Sequence, residues 1–328
     1  MPSRRRAFLV LLILALLAAA SLVLALAVGS VALSPADLLA TVGGHERSLA
    51  NQVLFDLRLP RALAAFACGG LLALAGALMQ VLLRNPLADP YVLGVSGGAS
   101  VGALLAMAVG LPLAIVNGGA FAGALAATLL VFGLGHGEGA WTSTRLLLTG
   151  VIVASGCGAV VALVLTLAPE AQLRGMLFWL LGDLGQAGTP WPALAVLTLG
   201  LVAALPYARD LNVLARGELA ALSLGVPVAR LRTGVQVAAS LLTAAAVTTA
   251  GSVGVVGLVV PHLTRLAIGN DQRLLLPAAT LAGGALLTVA DTLARSIAAP
   301  IQLPVGALTA LIGVPLFLFM LTRRGGLS

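Results

Sequence analysis

Arginine is the only strongly basic side chain in this sequence: all 18 Lys+Arg positions are arginine and lysine is absent. A Walker-A phosphate loop needs its lysine, and so does a Schiff base, so the chain has neither chemistry of its own. His45, His136 and His262 are scattered without ligand spacing, which supplies no metal site. Cys68 and Cys157 each lie inside an apolar run and read as small buried hydrophobes, not as a disulfide or ligand pair. A more suggestive pattern is Phe55-Asp56-Leu57-Arg58-Leu59-Pro60-Arg61, with two arginines three positions apart, and a third, Arg295, after a later apolar run. Guanidinium forks bind carboxylates in bidentate fashion, so these groups suit docking to acids of an external protein. Snorkelling at a membrane interface is the plainer alternative.

Those arginines need elements to hold them, and composition says what kind. Of 328 residues, 60% are hydrophobic and 9% charged, where a soluble domain carries about a quarter charged. The chain is therefore expected to be all-α, a single polytopic membrane domain over residues 1–328. Its apolar runs are continuous, unlike the alternation of a membrane β-barrel. At about 20 residues per crossing, the expected spans are Ala7–Val28, Ala62–Leu83, two within Pro90–Leu134, Leu146–Ala168, Trp191–Pro206, Thr233 to about Ala250, a shorter helix to Ile268, Leu274–Ala290 and Val305–Leu321. The break between the third and fourth spans is placed at Gly110-Leu-Pro112 to Asn117-Gly-Gly119. That makes ten spans.

Ten spans put both termini on one side, and Arg4-Arg5-Arg6 with Arg323-Arg324 makes that side cytoplasmic. Thirteen arginines and five acids then lie inside, five arginines and six acids outside. The net charge of +7 is thus a signal of topology and not of nucleic-acid binding. Arg5-Arg6-Ala7-Phe8-Leu9 resembles a twin-arginine signal with Ala25-Leu26-Ala27 as a cleavage site, but the run is as long as a full span, which favours a retained helix. A weak internal repeat relates Arg61 through the fifth span to Arg232 through the tenth; opposite starting sides would make it inverted.

Two polar stretches are long. Val31–Arg61 is expected outside. Tyr207–Arg232 is expected inside, as a short amphipathic helix, a Gly225/Pro227 stop and re-entry into the membrane. It would lie on the bilayer or fit a groove in a cytosolic partner.

The strings Arg-Leu-Pro-Arg at 58–61 and Arg-Asn-Pro-Leu-Ala-Asp-Pro-Tyr-Val-Leu-Gly-Val-Ser-Gly-Gly-Ala at 84–99 are the most specific. With Ser143-Thr144-Arg145-Leu146-Leu147-Leu148, Phe178-Trp179-Leu180-Leu181-Gly182, Gly257-Leu258-Val259-Val260-Pro261-His262 and Leu303-Pro304-Val305-Gly306, they run in order over residues 55 to 322. The series resembles the FecCD family, permease subunits of ABC importers for ferric siderophores, haem and vitamin B12.

The resemblance implies a fold like the family's vitamin B12 importer permeases, ten helices per subunit with both termini cytoplasmic. It implies a homodimer in the inner membrane, two ATP-binding subunits that hold ATP and Mg, a periplasmic or lipid-anchored substrate-binding protein, and no cofactor bound by this chain. Arg58, Arg61 and Arg295 would dock the binding protein. Arg216, Glu218, Leu222 and Gly225, within the 207–232 loop, would meet the ATPase. Asn85, Leu87, Ser143 and Thr144 would form the cytoplasmic gate. Glu170, Gln172, Arg174, Met176, Phe178 and Asp183 would line the pathway. The implied cargo is an iron chelate, a ferric siderophore or haem, with cobalamin the alternative.

Two other classes fit less well. An ion-coupled secondary transporter would need mid-membrane carboxylates, for which Asp183 and Asp291 come nearest. A membrane enzyme would need a catalytic set that the three dispersed histidines do not supply.

Overall fold

The computed structural model describes residues 4–29, 51–135 and 143–324. Most of the Val31–Arg61 stretch, with Glu138 and the side chain of Ser143, falls outside the described residues. The described chain is helical, with these elements: α1 (Arg4–Ala27), α2 (Leu59–Leu82), α3 (Val95–Ala108), α4 (Leu113–Gly135), α5 (Ser143–Leu167), α6 (Glu170–Leu181), α7 (Trp191–Ala204), α8 (Ala208–Leu214), α9 (Glu218–Ser223), α10 (Val228–Ala250), α11 (Val256–Ile268), α12 (Gln272–Ala294) and α13 (Val305–Arg324). Among them 7 helical segments are long and apolar enough to cross a membrane, and shorter apolar stretches lie in α3, α11 and α13. Every expected span is thereby occupied by a helix.

The hub is α2. A central position demands a thin helix, and α2 supplies one, with Gly69, Gly70, Ala73, Gly76 and Ala77 all buried. It packs against α12, α10, α11 and α7. A Cβ at Gly69 would strike the Gly283 carbonyl of α12, and one at Gly76 the Gly257 carbonyl of α11. Such small-residue contacts drive helix association in lipid, where burial of apolar surface gives no force.

Three expectations on boundaries change. The helix of the second span begins at Leu59, about one turn before the expected Ala62, and is preceded without a break by the π-helical segment Gln52–Arg58. The break between the third and fourth spans is confined to Val109–Pro112, since α4 starts at Leu113 and runs through Asn117-Gly118-Gly119. Gly119 instead lets α3 approach, its absent Cβ facing the Gly102 carbonyl at 2.7 Å. The 207–232 loop holds two short helices, α8 and α9, with Gly217 between them at φ 134°, a region open to glycine alone.

The suggested repeat has structural counterparts. α2, α3, α4 and α5 run 24, 14, 23 and 25 residues; α10, α11, α12 and α13 run 23, 13, 23 and 20. Each set's first helix packs against the other set's third: α2 on α12, and α10 on α4.

Candidate functional site

α2 runs from Arg61 near one end to Arg84 just past the other, so it separates two polar regions. At the first, Arg61 donates to Asp291 of α12 through Nε (3.1 and 2.9 Å) and Nη2 (2.8 Å), and through Nη1 to Gln302 (2.9 Å). Asp291 is only 2% exposed. Arg295, one turn on, places Nε 4.0 Å from the same carboxylate.

Arg295 and Arg58 also reach back to α1. The C-terminal carbonyls of a helix lack intrahelical donors, and here Ala25 accepts from Arg295, while Leu26 and Ala27 accept from Arg58 at 2.7 and 3.2 Å. Of the three arginines expected to face outward, Arg61 and Arg295 thus face one acid, and Arg58 and Arg295 fasten the end of α1. With Asp56, Leu57, Gly185 and Gln302 they also line an open cleft of about 270 Å³.

Next along the chain, α6 borders a second open space. A cavity of about 270 Å³ between α3, α4, α6 and α10 is lined by Gln172 and Asp183 of the expected pathway set, joined by Asn117, Trp179, Gln186 and Thr249. Gln172, its amide turned to donate, reaches the Met107 and Ala108 carbonyls at 2.8 and 3.1 Å and so caps α3. Asp183 accepts from Gly185 N at 2.6 Å. Glu170 and Arg174 are exposed, and the Arg174 guanidinium sits 5.7 Å from the Phe178 ring. Met176 is fully buried in the core and not on the cavity wall.

The segment Gly251–Val255, whose Gly251 lines this cavity, is held from several sides. Tyr91 Oη donates to Val253 O (3.0 Å) and accepts from Val253 N (3.1 Å), and the Ser96 and Ser252 hydroxyls meet at 2.8 Å. Ser252 N donates to Trp179 O of α6 at 3.3 Å, and Thr309 of α13 to Gly254 O at 3.2 Å. Val255, at φ 73°, closes a γ-turn with Val256 N bonded to Gly254 O at 2.9 Å. A β-branched residue at positive φ is strained, and such strain persists only where neighbours enforce it.

The opposite end carries the turn after α2 and the α8–α9 pair. Asn85 Oδ1 accepts from Leu87 N at 2.9 Å, making a local Asx turn, and both residues are exposed. Asp89 caps the following turn through Tyr91 N at 2.7 Å, and burial pushes its carboxyl up to about 6. That turn meets α5 where a Cβ at Gly150 would strike the Val92 carbonyl; Thr144 is exposed, and Ser143 opens α5. Arg216 is exposed, while Glu218 pairs with Arg232 at 3.1 Å.

On α9, Leu222 is 55% exposed and is joined by Leu219 (84%) and Leu224 (71%), with Ala221 buried beneath them. The sequence pattern did not single out Leu219 or Leu224; in a helix of only six residues the apolar face is too short to read by period. Gly225, at φ 77°, ends the helix. Among the described residues no cluster of His, Cys, Asp or Glu could hold a metal.

Comparison with known proteins places this arrangement. Residues 13–323 match the model of the FecCD transport family. The chain is 44% identical over 282 residues to the cobalamin import system permease protein BtuC of Halobacterium salinarum, covering 84% of this chain and 74% of that one. It is 43% identical over 285 residues to the hemin transport system permease protein HmuU of Yersinia pestis, covering 83% and 84%. It is 36% identical over 322 residues to the vitamin B12 import system permease protein BtuC of Escherichia coli, covering 96% and 95%. A solved inward-facing conformation of an ABC transporter of the metal-chelate type superposes with a TM-score of 0.85 at 32% identity, covering 95% of this chain and 98% of that one. By sequence and by fold the chain belongs to the FecCD transport family, as an ABC importer permease of that type.

Proposed function

We propose that this permease carries an iron chelate, a ferric siderophore or haem, across the inner membrane as one half of a homodimer, with both termini cytoplasmic. The match of residues 13–323 to the family carries the reading. The missing Walker lysine agrees with it, because the ATPase must then be another chain holding ATP and Mg. Cobalamin is the second reading, favoured by the 44% identity to a cobalamin permease. The permease itself performs no bond chemistry. Loaded binding protein outside and ATP-driven closure inside bias the bundle between two openings.

The site residues divide accordingly. Acids of a binding protein would enter the cleft lined by Arg58, Arg61 and Arg295, where geometry and on-rate gain more than affinity. Gln172 and Asp183 are the pathway residues best placed to touch cargo, with the neutral Asn117 and Thr249 beside them. Asn85, Leu87, Ser143 and Thr144 remain the proposed gate. Leu219, Leu222 and Leu224 form the knob that an ATPase groove would receive, with Arg216 beside it and Glu218 held by Arg232.

Uptake of labelled haem, ferric siderophores and cobalamin, in matched cells with and without the chain, tests the cargo. Loss confined to an iron chelate is expected; loss confined to cobalamin selects the second reading, and no loss in the panel overturns both. In the same assay Leu222→Arg is expected to cut uptake at least tenfold while the ATPase still hydrolyses ATP. Unchanged uptake would move the coupling contact away from α9.

A further inference from the structure

An open cavity at the Arg84 end has no part in the reading above, apart from Arg216 at its rim. It measures about 760 Å³ and is formed by the last turn of α2, the second half of α11, the first turn of α12 and the end of α8. Three arginines from three separate segments line it, Arg84, Arg216 and Arg265, against one carboxylate, Asp271. Asp271 is already engaged, accepting from Asn212 Nδ2 at 2.8 Å and from Arg273 N at 3.1 Å. The cavity therefore holds an excess of positive charge, with guanidinium donors and, among the described residues, no second acid on its wall.

A second observation is independent of charge. Gln80 and Gln272 line the same cavity and are 3% and 1% exposed. Each amide nitrogen has an acceptor, Leu258 O at 3.1 Å and Asn270 O at 3.4 Å, yet neither Oε1 accepts a hydrogen bond. Buried acceptors without donors are uncommon and call for a donor. A ligand that suits both features presents an anion to the arginines and a hydroxyl or ammonium to the glutamine oxygens.

We propose that this cavity binds the headgroup of an anionic phospholipid of the phosphoglycerol type. The phosphate would pair with the arginines, and the glycerol hydroxyls would donate to Gln80 and Gln272 once their amides turn toward the cavity. Depth favours a lipid over a dissolved phosphate ester. The walls are the ends of three apolar helices, which stop where a bilayer's headgroups begin, and basic pockets between such ends on the cytoplasmic side hold anionic lipids. Exposed Leu266 on the rim offers apolar surface for an acyl chain.

The test uses the full chain in nanodiscs of phosphatidylcholine containing a minor fraction of phosphatidylglycerol, followed by native mass spectrometry of retained lipid. The wild type is expected to retain phosphatidylglycerol at least fivefold above its bulk fraction. Arg84→Gln combined with Arg265→Gln is expected to abolish that enrichment. Gln80→Leu, which removes only the amide, is expected to reduce it, and melting temperatures identify any variant that has lost its fold. Enrichment that survives the double arginine substitution in a folded protein, or equal retention of both lipids, overturns the proposal. So does displacement of the lipid by millimolar sn-glycerol 1-phosphate, which would mark the site as one for soluble phosphate esters.

Discussion

Asp291→Ala is expected to destabilise this protein more than any other single removal of a charge, by about 3–5 kcal/mol, as for breaking one side of a buried ion pair. Three hydrogen bonds from Arg61 end on this carboxylate, and Arg295 lies 4.0 Å away. Without it, Arg58, Arg61 and Arg295 would share one cleft with no buried acid among them, and the grip of Arg58 and Arg295 on the end of α1 would slacken. The readout is the melting midpoint in detergent, together with the amount of chain in the membrane. Replacing both partners, as Arg61→Met with Asp291→Leu, is expected to recover much of the loss, because apolar residues of similar volume often substitute for a buried pair without penalty. If Asp291→Ala melts like the wild type, the pair is not structural. Arg61 would then be left to external docking, where its substitution should weaken binding-protein association alone.

How legible these sites were depended on whether their signal was local. Uninterrupted apolar runs marked the ten helices, since a bilayer leaves no other way to satisfy the backbone. Glycine was ambiguous: Gly118-Gly119 carried the same signal as a turn, and only the facing Gly102 reveals a close helix contact. The arginines at 58, 61 and 295 were visible as misplaced charges, but the pairing of Arg61 with Asp291 was not, because the two lie 230 residues apart. The pathway set came from one segment, so it included buried Met176 and left out Asn117 and Thr249, which join the same cavity from other helices. Nothing about a valine announces positive φ. Val255 takes it because Tyr91, Ser96, Trp179 and Thr309 hold the segment around it from three directions.

The second large effect is steric. Gly76→Ala is expected to cost about 3 kcal/mol, the upper part of the range for overpacking, although it adds a single methyl group. The added Cβ would strike the Gly257 carbonyl oxygen and come within 2.7 Å of its carbon and 2.9 Å of its Cα. The obstacle is backbone, so no side chain can rotate away; α11 must back off from α2. Its first turn cannot yield freely, because it continues from the Val255 γ-turn and the bonds that hold residues 251–254. Moving α11 would therefore pull on Tyr91, Trp179 and Thr309 together, linking a packing fault to the segment that borders the cavity. Uptake is expected to fall with stability. Gly234→Ala in α10 is the control, since a Cβ there meets nothing within 4 Å. It should be neutral or stabilising, by up to about 1 kcal/mol, through helix propensity alone. Equal melting midpoints for the two variants would mean that the α2–α11 contact relaxes cheaply. Close approach at Gly76 would then be incidental to the fold.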